Sequence, residues 1–326
     1  MTVPPRRRPA AAALAAVLIA SAVTASTVLT SAAEAANPIA ATPPTRSGAA
    51  AARPIMTYVA LGDSYTAGPL IPETTGLPAG CVRSNHNYPA YLAQWLKVSP
   101  LSFHDVSCSA ADTTNMRHPQ STPAGTNPPQ FDALTPSTDL VTLGIGGNDF
   151  GVFGDIIATC PKLRHTDPHG APCRRHFTVD GVDTMRAKVQ RTQRRVGAVI
   201  RGIHQRSPHA RVLVVGYIRI APPTGVCPKV LPFADGDYRW ANGIEVALNS
   251  ALRSASQQHR ARFLNMYPAS LGHDACKGSR AWVNGKDVQP TRAYDYHPFQ
   301  SGMLGIARTA YRSITGHRAP PPGPLG

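Results

Sequence analysis

Acidic residues are scarce in this chain of 326 residues: 18 Asp and Glu stand against 33 Lys and Arg, a formal net charge of +15. A balance of this sign favours anionic surfaces and polymers as partners. The basic residues are dispersed, however, and they do not interleave with aromatic residues as in sites for single-stranded nucleic acid. The densest basic run, 186-RAKVQRTQRR-195, has helical spacing and is interpreted as a solvated helix face. No nucleic-acid partner is expected.

Long apolar runs are absent after residue 36. Before it, Arg6, Arg7 and Arg8 precede the stretch 10-AAAALAAVLIASAVTA-25, and 33-AEAAN-37 offers small residues at the spacing of a cleavage site. This pattern predicts a secretory signal over 1–36 and an extracellular protein. A membrane anchor is the alternative, disfavoured because the stretch is alanine-rich and no second apolar span follows. Removal of 1–36 leaves 30 basic and 17 acidic residues, a net charge of +13.

Two further segments lack hydrophobic periodicity. Residues 37–54 are rich in Ala, Pro, Thr and Ser, and residues 317–326 are rich in proline, so both are predicted to be disordered. Residues 55–316 remain, which is enough chain for one domain with a large core. No internal repeat is detected.

Six cysteines in an exported chain predict three disulfides, although six cysteines allow 15 pairings. The favoured pairs are neighbours in sequence, because each then closes a loop-rich insertion: Cys81–Cys108, Cys160–Cys173 and Cys227–Cys276. A rival interpretation is zinc, since 160-CPKLRHTDPHGAPCRRH-176 holds five Cys and His residues. Its prolines and glycine predict an irregular loop without known finger spacings. The chain also lacks H-E-x-x-H and carboxylate clusters, so no metal is expected.

Short apolar runs alternate with helical patterns along the domain. The apolar runs are 57–61, 103–108, 139–145, 211–217 and 261–267, and the helical patterns are 88–98, 180–206, 237–259 and 298–315. Such alternation predicts a parallel sheet covered by helices on both faces. Right-handed crossovers bring the strand-to-helix turns to one edge of that sheet. The expected fold is α/β, a three-layer α/β/α doubly wound domain with five parallel strands.

Polar or small residues end three of these strands. The first strand ends in Gly62-Asp63-Ser64, the second in 108-CSAADTT-114 and the third in 144-GIGGNDF-150. The last helix follows 294-YDYHPFQSG-302, in which His297 precedes a proline suited to a helix start. Taken alone, Ser64 is better explained as a helix N-cap than as a catalytic residue. Together, these residues predict a binding or catalytic site at one edge of the sheet.

The four blocks resemble, in content and in order, those of the SGNH hydrolases, also called GDSL esterases and lipases. The similarity spans 57–315 and is greatest to the secreted actinobacterial branch with three disulfides. The chain differs from the α/β-hydrolase elbow Gly-x-Ser-x-Gly, because Thr66 occupies the last position. The resemblance implies the flavodoxin-like SGNH fold and a carboxylester hydrolase, expected to act as a monomer without a cofactor.

The resemblance also implies a role for each block. Ser64 is the nucleophile, and His297 is the base that removes its proton. The oxyanion donors are the main-chain N–H groups of Ser64 and Ala110 and the side-chain amide of Asn148. The family usually has glycine where this chain has Ala110, so alanine serves there only if its φ is permissive.

The third catalytic member is less clear. The family usually has an aspartate three residues before the histidine, where this chain has Tyr294. Asp295 lies two residues before His297, and residues two apart in extended chain point to the same side. The Asp295 carboxylate is therefore predicted to orient His297, and a main-chain carbonyl from the same stretch is the open alternative. Asp63 and Asp149 are expected to hold their turns through Asx-type hydrogen bonds.

A basic exported enzyme is suited to anionic phospholipids or to acidic polysaccharide esters. Lipid esters are the favoured substrate class, with transient contact to lipid surfaces. Leu70, Ile71 and Leu77 follow the nucleophile and either line an acyl groove or pack the loop; the sequence supports both equally. A polysaccharide acetylesterase is the alternative within the enzyme class. An inert secreted binding module is the alternative outside it, and would be indicated by a missing Ser, Asn or His; none is missing.

Overall fold

The computed structural model describes residues 54–325, so the predicted signal 1–36 and nearly all of the predicted linker 37–54 lie outside the described residues. The strands are β1 (Tyr58–Gly62), β2 (Phe103–Asp105), β3 (Gln120–Thr122), β4 (Gly125–Asn127), β5 (Leu140–Gly144), β6 (Thr178–Val179), β7 (Val182–Asp183), β8 (Arg211–Val215) and β9 (Arg262–Leu264). The helices are α1 (Ser64–Ala67), α2 (Tyr88–Leu96), α3 (Val152–Leu163), α4 (Pro172–His176), α5 (Thr184–Arg206), α6 (Asp237–Gln258), α7 (Met266–Ala269) and α8 (Gln300–Thr315).

Five strands form one parallel sheet in the order β2-β1-β5-β8-β9. Tyr58 pairs with Leu140, and Leu140 pairs with Arg211, so the central strands begin in register. The chain winds outward in both directions from the β1–β5 pair, and ligands of such sheets bind beyond the carboxyl ends of the strands at this switch point. The predicted α/β doubly wound domain with five parallel strands is confirmed.

The central strands are enclosed by helices. Every residue of β1 and β5 is buried, as expected of parallel strands covered on both faces. The long helices α5 and α6 pack against each other, and α2 packs against α8. This enclosure leaves the carboxyl edge of the sheet as the place where polar side chains can meet a ligand.

The region 160–176 is more ordered than its prolines suggest. The sequence pattern predicts an irregular loop there, but α3 extends to Leu163 with Pro161 in its last turn, and α4 begins at Pro172. A proline near a helix end removes few intrahelical bonds. Cys160 of α3 is joined to Cys173 of α4, so these two cysteines form a disulfide in place of the alternative zinc site.

All six cysteines are paired in the structure: Cys81–Cys108, Cys160–Cys173 and Cys227–Cys276. These are the three pairs that the sequence order favours. Cys81–Cys108 joins the chain that follows α1 to the chain just beyond β2. This disulfide therefore borders the edge where the site is expected.

The carboxyl-terminal segment 317–325 contains no helix or strand. It runs back to α2, where Gln94 Nε2 donates to the carbonyl of Pro324 at 2.8 Å and Leu325 packs against the core. Between residues 54 and 325, no helix combines the length and apolar character needed to cross a membrane.

Candidate active site

The nucleophile candidate lies at the first turn after β1. Asp63 is the N-cap of α1, and its carboxylate accepts a hydrogen bond from the Tyr65 N–H at 2.8 Å. This contact is the Asx-type bond expected of Asp63, and it assigns the capping role to Asp63. The alternative in which Ser64 caps the helix is therefore wrong: Ser64 is the first helical residue, with its hydroxyl free for another partner.

The end of β1 is fixed by close packing. An added Cβ on Gly62 would lie 2.2 Å from Thr66 Oγ1, and one on Gly144 would lie 2.5 Å from the same atom. Glycine at both strand ends thus lets Thr66 pack between them. On the other side, the Gln130 side chain accepts from the Gly62 N–H at 2.8 Å and donates to the Gly62 carbonyl at 2.9 Å. Gln130 thereby holds the main chain that leads into Ser64.

The structure brings Ser64 and His297 together across 233 positions of sequence. His297 Nε2 lies 2.8 Å from Ser64 Oγ, and His297 Nδ1 lies 2.6 Å from the main-chain carbonyl oxygen of Asp295. A carbonyl only accepts, so Nδ1 carries the proton and Nε2 presents a lone pair to the serine hydroxyl. This tautomer is the one that a general base for Ser64 requires.

The prediction that the Asp295 carboxylate orients His297 is corrected by this geometry. Tyr296, between the two residues, has φ +56°, so the chain turns sharply where the prediction assumed extended chain. The turn presents the carbonyl of Asp295 to Nδ1, and no described residue forms a hydrogen bond with the Asp295 carboxylate. The open alternative, a Ser–His pair oriented by a main-chain carbonyl, is the arrangement that the structure contains.

Burial controls the protonation of His297. Desolvation lowers the pKa of the imidazole below its ordinary 6.5, opposed by the hydrogen bond to the Asp295 carbonyl and by the charge of the Asp295 carboxylate. The imidazole is therefore neutral at neutral pH and able to accept a proton. The Asp295 side chain acts on His297 through its charge alone.

Three possible N–H donors belong to residues that line one cleft, namely Ser64, Ala110 and Asn148. Within residues 54–325, neither the Ser64 N–H nor the Ala110 N–H donates to a protein acceptor. Asn148 Nδ2 donates one hydrogen to the carbonyl of Ala111 at 2.8 Å, which leaves its second hydrogen free. Ala110 has φ +66°, the left-handed conformation that its place in a glycine position requires. These donors can stabilise a negative oxygen formed beside Ser64.

Two cavities meet at the Ser64–His297 pair. An open cleft of about 450 Å³ is lined by Ser64, Ala110, Asn148 and His297, together with Tyr294. A smaller pocket of about 80 Å³ shares Ser64, Asn148 and His297 and continues among apolar side chains, chiefly Phe153, Ile157, Tyr217 and Ile220. Two larger cavities, of about 660 and 670 Å³, have none of these site residues in their walls.

The loop after the nucleophile does not form the acyl groove that its apolar residues suggested. Ile71 is fully buried in the core, and Leu77 is 74 % exposed. Neither they nor Leu70 lines a cavity at Ser64; the loop contributes Pro69 and Gly80 to the open cleft. Packing of the loop is therefore the correct interpretation for Ile71.

The basic run of α5 is partly engaged with the site. The guanidinium groups of Arg191 and Arg195 lie 3.8 and 4.1 Å from the centre of the Phe150 ring. Arg195 also pairs with the buried Asp149 at 3.3 Å, and Asp149 accepts hydrogen bonds from the N–H and hydroxyl of Thr113. Arg191 remains exposed, as the solvated-face interpretation expects, whereas that interpretation is wrong for the half-buried, ion-paired Arg195. The Asx-type bond expected of Asp149 is also wrong, since its carboxylate joins the third block to the second.

Sequence reasoning missed two residues that hold the site. Gln130 clamps Gly62 from a 3₁₀ turn, and nothing in its local sequence distinguishes it. Tyr217 follows β8 and contacts both the first and the third block. The sequence did offer one signal for Tyr217, its position just after β8. The carboxyl ends of the neighbouring central strands, β1 and β5, also carry site residues.

Comparison with known proteins identifies the class as ester hydrolases. The model of the GDSL-like Lipase/Acylhydrolase family matches residues 60–303, and the chain belongs to this family. It is 36 % identical over 239 residues to Lipase 2 of Streptomyces coelicolor, covering 72 % of this chain and 78 % of the relative. It is 31 % identical over 275 residues to an esterase of Streptomyces scabiei, covering 75 % and 79 % of the two chains.

Solved structures agree with this assignment. The crystal structure of phospholipase A1 from Streptomyces albidoflavus has a TM-score of 0.64 and 29 % identity, covering 80 % of this chain and 99 % of that one. The extracellular lipase from Streptomyces rimosus has a TM-score of 0.65 and 25 % identity, with the same coverage of each chain. The expected SGNH hydrolase fold and ester hydrolase activity are confirmed, as is the likeness to the actinobacterial branch.

Proposed function

We propose that this ester hydrolase is an exported enzyme that cleaves lipid esters through an acyl intermediate on Ser64. The observation that carries the proposal is the 2.8 Å contact between Ser64 Oγ and His297 Nε2, beside three free N–H donors. An inert binding module would have no need of a neutral imidazole aimed at a serine hydroxyl. The contact thus supports a catalytic role for this protein over a role in binding alone.

In the first half of the reaction, Ser64 Oγ attacks the ester carbonyl carbon while His297 Nε2 takes the hydroxyl proton. The carbonyl oxygen becomes an oxyanion and accepts hydrogen bonds from the Ser64 and Ala110 N–H groups and the Asn148 amide. The imidazolium is held by the Asp295 carbonyl through Nδ1–H. Collapse of the intermediate breaks the ester bond, and Nε2–H protonates the departing alcohol.

In the second half, water replaces the alcohol. His297 takes a proton from the water, whose oxygen attacks the acyl carbon and forms a second oxyanion in the same set of donors. Departure of Ser64 Oγ, reprotonated by Nε2–H, releases the carboxylic acid. One water is consumed, and one alcohol and one acid are produced for each ester.

The two cavities differ in size, which suits an ester whose acyl part and alcohol part bind in separate places. The pocket of about 80 Å³ is much the smaller of the two. Its apolar walls suit the start of an acyl chain. The open cleft of about 450 Å³ suits the rest of the substrate. Lipid esters are favoured because relatives of this chain are named lipase and phospholipase A1.

Export and transient contact with lipid surfaces complete the proposal. Export is supported by the signal-like residues 1–36, by three disulfides, which form in oxidising compartments, and by the Streptomyces rimosus lipase described as extracellular. The net charge of +13 after removal of 1–36 favours transient contact with anionic lipid surfaces.

A chain-length series of p-nitrophenyl esters with a Ser64→Ala control tests the proposal. We expect Ser64→Ala to fold normally and lose several orders of magnitude in kcat, as removal of a triad serine does. A fluorophosphonate should label Ser64 in the unaltered enzyme. Strong activity on acetate alone would favour the acetylesterase, and full activity of the alanine variant would refute Ser64 as nucleophile.

A further inference from the structure

A buried tyrosine outside the four sequence blocks joins the parts of the site. Tyr217 lies just beyond β8 and is 2 % exposed. Its main chain is held by Asn249 of α6, whose side chain accepts from the Tyr217 N–H at 3.0 Å and donates to its carbonyl at 3.2 Å. The ring therefore has a fixed base from which its hydroxyl reaches the site.

The Tyr217 hydroxyl connects the two residues that precede the proposed catalytic groups. It accepts a hydrogen bond from the N–H of Gly147 at 2.7 Å and donates one to the carboxylate of Asp63. Gly147 comes directly before Asn148, and Asp63 comes directly before Ser64. An added Cβ on Gly147 would lie 3.0 Å from this hydroxyl, so the glycine allows the contact.

The Asp63 carboxylate depends on this hydroxyl for its charge. Burial raises the pKa of Asp63 to about 7, and the hydrogen bonds from Tyr217 and from the Tyr65 N–H hold it from rising further. The charge of Asp149 acts in the opposite direction and raises it. Loss of the Tyr217 hydroxyl would leave one oxygen of a buried carboxyl group without its hydrogen bond, which is costly inside a protein.

The Tyr217 ring is connected to His297 through the ring of Tyr65. It contacts the ring of Tyr65 edge-on, with ring centres 5.1 Å apart, and the Tyr65 ring centre lies 5.5 Å from that of His297. The Tyr65 hydroxyl donates to the carbonyl of Tyr296, the residue whose turn presents the Asp295 carbonyl to His297. Tyr217 thus contacts the nucleophile turn and the Asn148 block directly, and the histidine segment through Tyr65.

We propose that Tyr217 is a positioning residue whose hydroxyl sets the spacing between the Ser64 turn and the Asn148 amide. The inference rests on the proposed roles of Ser64 and Asn148. The hydroxyl acts on the oxyanion stage, where hydrogen-bond distances must be right, more than on ground-state binding. Its removal should therefore lower kcat and leave KM nearly unchanged.

Tyr217→Phe removes one oxygen and is the direct test, with p-nitrophenyl acetate as substrate because the shortest acyl group of the series makes the fewest contacts with the pocket that Tyr217 lines. We expect kcat to fall 10- to 100-fold and KM to stay within twofold. Tyr58→Phe is the matched control: Tyr58 is equally buried, and its hydroxyl lies 2.8 Å from Thr142 Oγ1 inside the sheet. This control should lower the melting temperature and leave kcat unchanged.

Asp63→Asn provides a second test, which also serves if Tyr217→Phe fails to fold. The amide cannot accept from both Tyr217 and the Tyr65 N–H, so kcat should fall similarly. The double variant should lose no more than the worse single variant, because both act through one hydrogen bond. Unchanged kcat in Tyr217→Phe, or additive losses, would overturn the inference. Ser64→Ala in parallel separates the two proposals: if it stays active, the proposed nucleophile is wrong, whatever Tyr217 does.

Discussion

The nucleophile turn and the histidine segment are built in different ways. At the nucleophile turn, β1, the Asp63 cap and helix α1 follow one another within ten residues, and the geometry of Ser64 comes mainly from neighbours in sequence. The segment 284–299 contains no helix or strand. Its shape comes from main-chain groups held by the buried side chain of Asn284. A local sequence motif thus determines the position of Ser64, whereas tertiary contacts determine the position of His297.

The side chain of Asn284 forms all of its hydrogen bonds within this segment. Its Nδ2 donates to the carbonyls of Asp287 at 2.7 Å and Tyr294 at 2.9 Å, and its Oδ1 accepts from the Gly285 N–H at 2.8 Å. Its main-chain N–H donates to the carbonyl of His297 at 2.8 Å. The position of His297 therefore depends on a residue that takes no part in the chemistry.

The largest effect expected from this difference is that of Asn284→Ala. Each buried group left without a partner costs about 1–3 kcal/mol, so the segment should loosen around His297. We expect kcat to fall 10- to 100-fold, measured with a short p-nitrophenyl ester. Asn242→Ala is the control, because Asn242 bonds Ala221 and Tyr267 away from Ser64 and should affect stability alone. An Asn284→Ala kcat within twofold of the native enzyme would contradict the proposed dependence.

A smaller effect is expected of Asp295→Ala, because the carbonyl that orients His297 belongs to the main chain and survives the substitution. We expect kcat within tenfold of the native enzyme, against losses on the order of 10⁴ where a triad aspartate is removed. His297→Ala, in the same assay, should abolish activity. A loss in Asp295→Ala as large as that in His297→Ala would restore the carboxylate as the third member.

The dependence of activity on pH tests how the Asp295 side chain acts on His297. Burial lowers the pKa of His297 below 6.5, so the imidazole should be neutral at neutral pH and activity should fall as acid protonates this base. The Asp295 charge raises that pKa, so Asp295→Asn should move the acid limb to lower pH. A limb that stays in place or moves to higher pH would show that the carboxylate does not act on His297 through its charge.

The smallest effect is expected at Ala110. Its φ of +66° strains an alanine by roughly 1–2 kcal/mol, which glycine would relieve at the cost of a more flexible unfolded chain. We expect Ala110→Gly to keep kcat within twofold and to change the free energy of unfolding by less than about 1 kcal/mol, in the stabilising direction. Thermal unfolding and steady-state kinetics test both. A tenfold loss of kcat would show that the alanine methyl itself shapes the oxyanion site.

The sequence was sufficient to predict those features of the fold and the site that residues close together in the chain determine. Alternating apolar runs predicted the parallel sheet, and the strand ends placed Ser64 and Asn148 at one edge because parallel strands share their direction. The predicted role of the Asp295 carboxylate was wrong because it depended on the φ of Tyr296, and the tertiary contacts of 284–299 determine that angle. Tyr217 and Gln130 could not be found by motif, since each acts on main-chain groups at least 60 residues away.

The Cys81–Cys108 disulfide lies beside Ala110, one of the proposed oxyanion donors. The Ser109 N–H donates to the carbonyl of Cys81 at 3.2 Å, and the Ala111 N–H donates to that of Cys108 at 3.1 Å, so both neighbours of Ala110 are bonded to the bridged cysteines. We therefore expect a chain with reduced cysteines to hold the Ala110 N–H less firmly. On the proposed export and lipid-ester activity, such an enzyme would reach full activity only after leaving the reducing cytosol, and the lipids of the producing cell would be spared while it is made.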